Sequence, residues 1–177
     1  MTSPRDDLTR RLVIEVATNG LGDRSLRDLA AAVGSSHRML LYHFGSRDGL
    51  VGAVVELVEV DQRAVLAELA ATATGPGDLV RRLWQRVSAP EVLPFVRLFF
   101  ETVAHRGAPD LTTPWIEDSA PITERFGILF DPTEIRLGVA VTRGLLVDVI
   151  LTGDVDAATA SLERFITIWE NSSTQVD

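Results

Sequence analysis

The apolar residues recur with helical periodicity along the whole chain, and prolines and glycines cut that pattern into pieces. Ser3-Pro4 sets a capping hydroxyl before a proline at a first helical position, and Leu8, Leu12, Val13 and Val16 follow on one face. Asn19-Gly20 and Gly22 end that helix. Ser25-x-x-Asp28 has the form of a capping box and opens a short second helix, with Leu26, Leu29, Ala30 and Val33 inward and Gly34 at its close. Ser35 or Ser36 caps a third helix that stops at Phe44-Gly45. Ser46 caps a fourth, which carries Leu50, Val54, Leu57, Val58, Val65 and Leu69. Running to about Ala71, it spans roughly 39 Å, a length suited to joining two bodies.

Gly75-Pro76-Gly77, Ser88-Ala89-Pro90, Gly107 with Pro109, Pro132 and Gly153-Asp154 divide the remainder into five more helices. The seventh is expected over 115–129, interrupted by Pro121, and the last two over 132–152 and 156–171. The expected fold class is all-α, with about nine helices and no strand.

The overall charge argues against nucleic acid, because 17 cations, every one an arginine, face 25 acids for a net of −8. The distribution argues otherwise. Residues 1–50 hold seven arginines and six acids, whereas residues 51–177 hold ten and nineteen. No acid lies between Leu29 and Arg47, a stretch that contains His37, Arg38 and His43. Surface charge acts over roughly 8 Å at physiological salt, so a local cationic face outweighs a distant negative body. Zero cysteine excludes disulfides, thiolate nucleophiles and Cys-ligated zinc. The first residues are too acidic for a signal peptide, and Gly144 to Leu151, broken by Asp148, falls far short of the roughly 20 apolar residues a membrane span needs. The expectation is a soluble cytoplasmic protein with no membrane partner.

Two short helices joined by a Gly34-Ser35 turn, after a three-turn amphipathic helix, have the spacing of a helix-turn-helix. Such a unit needs a small residue at the turn. It also needs hydroxyl and cationic side chains at the front of the second helix, where free N–H groups and the dipole favour phosphate. Ser35, Ser36, His37 and Arg38 supply them, and Arg38 is the candidate base reader because arginine pairs in bidentate fashion with guanine. Phe44 is expected in the core.

The stretch SLRDLAAAVGSSHRMLLYHFGSRDGL, Ser25 to Leu50, resembles the DNA-binding segment of TetR-family transcriptional regulators. Its most specific part is Tyr42-His43-Phe44 followed by Ser46, Arg47 and Leu50; arginine stands at 47 where that family often carries lysine. Arg38 and Met39 replace a small Gly-Thr pair common there. The resemblance covers about 45 residues closely and the rest in architecture. It implies a helix-turn-helix domain over 1–46 and a ligand-binding and dimerisation domain over 47–177. It also implies that Ser25 and Arg47 touch phosphates, that Ser36, His37 and Arg38 face base edges, and that Tyr42 and His43 hold the DNA backbone.

The later helices are rich in aromatic residues. Trp84, Phe95, Phe99, Trp115 and Phe126 either pack or line a cavity for an apolar ligand. Asp148, among Leu146, Val147, Val149, Ile150 and Leu151, reads as a buried carboxylate needing a cap, a partner such as Arg143, an interface or a ligand. Glu101 and His105 have metal-ligand spacing, but with Arg97 they form a polar ridge that suits solvent. Ile135, Val139 and Leu146 of the eighth helix, with Leu162, Phe165, Ile166 and Trp169 of the ninth, suit a two-fold dimer interface.

With what the resemblance implies, the expectation is a homodimeric regulator, a repressor that leaves a double-stranded, pseudo-palindromic operator when a small apolar or amphipathic effector binds. No metal or cofactor is called for. The alternatives are an all-α ligand-binding protein with a degenerate helix-turn-helix, and a small enzyme using Glu101, His105 or Asp148. No nucleophile elbow, P-loop or dinucleotide fingerprint supports the enzyme.

Overall fold

Local capping chemistry places most helix ends. In the computed structural model, which describes residues 3–103 and 110–173, with backbone alone for 101–103 and 172–173, the Ser3 hydroxyl accepts from Asp6 N–H at 3.1 Å, while the Asp6 carboxylate accepts from Ser3 N–H at 3.2 Å. This reciprocal box opens α1 (Pro4–Asn19). The same exchange between Ser25 and Asp28 opens α2 (Leu26–Ala32). Ser36 caps α3 (His37–Phe44) by accepting from Met39 N–H at 3.2 Å. The chain continues through α4 (Arg47–Thr72), α5 (Pro76–Val87), α6 (Leu93–Val103), α7 (Thr113–Arg125), α8 (Pro132–Thr152) and α9 (Val155–Ser173). Among the described residues the fold is all-helical, with nine helices, as the periodicity predicts.

The seventh helix differs from expectation. It ends at Arg125, four residues early, because Gly127 and Ile128 turn back to donate to Glu124 and Thr123 carbonyls. Pro121 sits inside it without ending it. Its front is held by the Asp110 carboxylate, which accepts from Thr112 and Thr113 N–H at 2.9 and 3.0 Å. The side-chain bond from Thr113, then those backbone bonds, lower the Asp110 pKa from 3.8 to about 2.

The chain forms two compact units, Met1–Asp61 with Pro90–Pro109, and Gln62–Ala89 with Asp110–Asp177. The division falls inside α4, beyond the boundary after residue 46 that the family resemblance implies, and α6 packs with α1 in the first unit. Leu8, Leu12 and Val16 of α1, Leu29 of α2, Leu40 and Phe44 of α3, and Leu50 and Val54 of α4 are all buried in the first unit.

In the second unit α9 packs on both α5 and α8, and α7 on α8. Trp84 Nε1 donates to the Thr159 hydroxyl at 2.8 Å, and Arg81 pairs with Glu163 at 2.8 Å. Leu66, Ala70, Leu79 and Trp115 form a cluster on which Phe126 and Val139 rest. All three tryptophans belong to this unit: Trp84 in α5, Trp115 in α7 and Trp169 in α9. No helix among the described residues is long and apolar enough to cross a membrane.

Candidate nucleic-acid interface

Helices α2 and α3 pack against each other across a tight turn. Gly34 takes φ 65°, a left-handed conformation that a side chain disfavours, and Ser35 N–H closes the turn onto the Ala30 carbonyl at 2.8 Å. At about 100° per residue, the buried Leu40 and Phe44 put Arg38 and Tyr42 on the opposite side of α3. Arg38 is exposed and Tyr42 is 79% exposed, which keeps the tyrosine out of the core. His37 and Ser36 are exposed at the front of the helix, with Met39 and Leu41 exposed on its flanks. Half-buried His43 meets the Tyr42 ring edge-on, with centroids 5.0 Å apart. Phe44 is core, as expected, and Arg5 of α1 lies over its ring at 5.7 Å.

Two residues expected at phosphates already have protein partners. The Ser25 hydroxyl donates to the Asp28 carboxylate at 2.6 Å as well as capping α2. That bond leads the causes that hold the exposed Asp28 carboxyl below its ordinary pKa. Arg47 is half-buried, and its Nε donates to the Arg24 carbonyl at 3.1 Å and its Nη2 to the Gly22 carbonyl at 2.5 Å. A neighbouring contact was not foreseen at all: a Cβ on Gly49 would collide with the Phe44 carbonyl, so only glycine lets the start of α4 come this close to the end of α3.

The other candidate residues divide between the units. Phe95 and Phe99 lie on α6 in the first unit, whereas Trp84, Trp115 and Phe126 lie in the second. Trp84, Phe99 and Trp115 are buried, and Phe95 and Phe126 are half-buried. Asp148 contradicts its expectation: it is exposed, because Leu146 and Val149 take the inward face of α8. Arg143 reaches the Thr112 hydroxyl and the Leu111 carbonyl, both at 2.7 Å. Leu162 and Ile166 are fully buried and Leu146 nearly so within the chain itself, so they have no surface to give a second copy. Ile135, Val139, Phe165 and Trp169 are half-buried. The Glu101 side chain and His105 lie outside the described residues.

The sequence also offered no sign of Gln62. Its Oε1 is buried and has no hydrogen-bond partner among the described residues. It sits one and two turns ahead of Leu66 and Ala70, the α4 residues of the Trp115 cluster.

No family model matches the chain, and no curated protein matches it. Solved structures do. A transcriptional regulator from Rhodococcus sp. Rha1 is 17% identical at TM-score 0.73, covering 99% of this chain and 100% of that one. A TetR-family transcriptional regulator from Pectobacterium atrosepticum is 20% identical at TM-score 0.72, covering 94% and 90%. The multidrug binding protein EbrR, complexed with imidazole, is 22% identical at TM-score 0.67, covering 92% and 90%.

Proposed function

We propose, from a fold shared with TetR-family transcriptional regulators, that this chain is a homodimeric DNA-binding regulator, a repressor released from a pseudo-palindromic operator by a small apolar or amphipathic effector. The observation that carries the reading is the outward face of α3. Arg38 and Tyr42 project there from a stretch without acids, flanked by Ser36 and His37, with the helix anchored behind by Leu40 and Phe44. In a major groove, Ser36, His37 and Arg38 face base edges, with Arg38 the reader, while Tyr42 and His43 hold the backbone. The region 1–46 does the binding, and 47–177 takes the effector and the second copy.

The dimer reading rests on exposed residues in place of the buried ones. Leu137, Gly144 and Leu151 recur every seven residues along α8 and are all exposed, Leu151 at 78%, and Ile168 of α9 is 51% exposed. For the effector, the buried Gln62 Oε1 favours a molecule that brings an N–H or O–H donor. EbrR, of the same fold, is described as binding many drugs, which agrees with a small-molecule role for the second unit.

The test is selection of duplexes from a random pool, followed by mobility shifts across a salt series. A two-fold symmetric consensus, bound more tightly than random DNA, is the expected result. No retention of any duplex at low salt would leave the ligand-binding protein with a degenerate helix-turn-helix as the better reading.

A further inference from the structure

We propose that Arg47 is the clasp of the reading hairpin, and that this grip, not a phosphate contact, is its main contribution to binding DNA. The chain enters the α2–α3 hairpin through the turn at Gly22–Arg24 and leaves it at Ser46. Arg47, the first residue of α4, bridges entry and exit, with Nε on the Arg24 carbonyl and Nη2 on the Gly22 carbonyl across 23 and 25 residues of chain. These two donors lie on one edge of the guanidinium, so the pair is a forked grip on two carbonyls in a fixed geometry. The exit side is equally constrained. Ser46 N–H bonds the Phe44 carbonyl at 2.8 Å, the Ser46 hydroxyl accepts from Gly49 N–H at 3.0 Å, and Gly49 leaves no room between α3 and α4. With both ends held against the first turn of α4, the hairpin has one orientation, and the outward face of α3 is presented at one angle.

This role rests on the DNA-binding reading but is testable without it. The chain has no cysteine, so nitroxides can be attached singly at Asp23→Cys, in the clasped turn, and Glu56→Cys, on the same unit's part of α4, both exposed sites. The wild-type distance distribution should be narrow. Arg47→Ala should broaden it, and Arg47→Lys should as well, because one ammonium does not reproduce a fork. On DNA, both variants should lose at least about fivefold on the selected operator, the scale of one mis-set base contact. Their loss on random duplex should be small, and the log–log salt slope should stay at the wild-type value.

A slope lower by about one unit in Arg47→Ala, with operator and random DNA weakened alike, would make Arg47 a phosphate ligand and overturn the proposal. So would unchanged distances in both variants, whatever the affinity. If Arg47→Ala does not fold, Arg47→Lys carries the distance comparison. If the wild type binds no DNA, the regulator reading fails while the distances still judge the clasp.

Discussion

Arg38 and Tyr42 stand side by side on α3, yet the proposed regulator gives them different work. A guanidinium reads a base edge by two parallel donors, whereas a phenol at the helix surface reaches a phosphate oxygen, which carries no sequence information directly. Arg38→Ala should therefore cost about 1–3 kcal/mol on the operator and relax selectivity at one base pair per half-site. Tyr42→Phe should weaken operator and random duplex alike, and binding titrations on both DNAs check the pair. Gln62 makes a different kind of prediction. A buried oxygen without a partner costs about 1–3 kcal/mol, so Gln62→Leu should raise the melting temperature of the free protein. A lowered melting temperature would mean that the oxygen is satisfied and has no bearing on an effector. Sequence showed the α3 residues because a 3.6-residue period fixes opposite faces of a helix. It could not show Arg47's partners, which lie 23 and 25 residues away and follow no local pattern.

Among the helices, local chemistry was legible and neighbour choice was not. The Ser3 cap and the Ser25–Asp28 box act within four residues, so both could be read before any fold was known, though Asp6 as the partner of Ser3 was not. The stripe Leu162–Ile166 was equally readable as apolar, but no periodicity tells whether a second copy or α5 and α8 of the same chain will cover it. Asp148 was misjudged for the same reason: apolar neighbours in sequence occupy the inward face and leave position 148 outside. The cap at α7 yields a pH prediction. Asp110 has a folded pKa of about 2 against an ordinary 3.8, so its contribution is fully present above 3.8 and is lost as pH falls through 2. Asp110→Asn should flatten the stability–pH curve between about pH 4 and 2 and leave its shape near neutrality unchanged, as acid titrations of denaturant midpoints would reveal.

At the scale of the whole molecule, exposed Leu137 and Leu151 recommend a paired α8, and the double substitution Leu137→Glu with Leu151→Glu should convert a dimer into a folded monomer of 19.3 kDa in sedimentation. Leu146→Glu should instead unfold the chain, because that residue is buried in its own core. The placement of all three tryptophans in the second unit has an optical consequence. Indole emission is blind to the helix-turn-helix, whereas far-ultraviolet circular dichroism counts every helix. A melt followed by the two signals is thus a built-in comparison of one unit with the entire chain. Because α4 supplies turns to both units, the two curves should share one midpoint. Separated midpoints would mean that the DNA-facing unit melts on its own, and the order of the two would say which unit lends stability to the other.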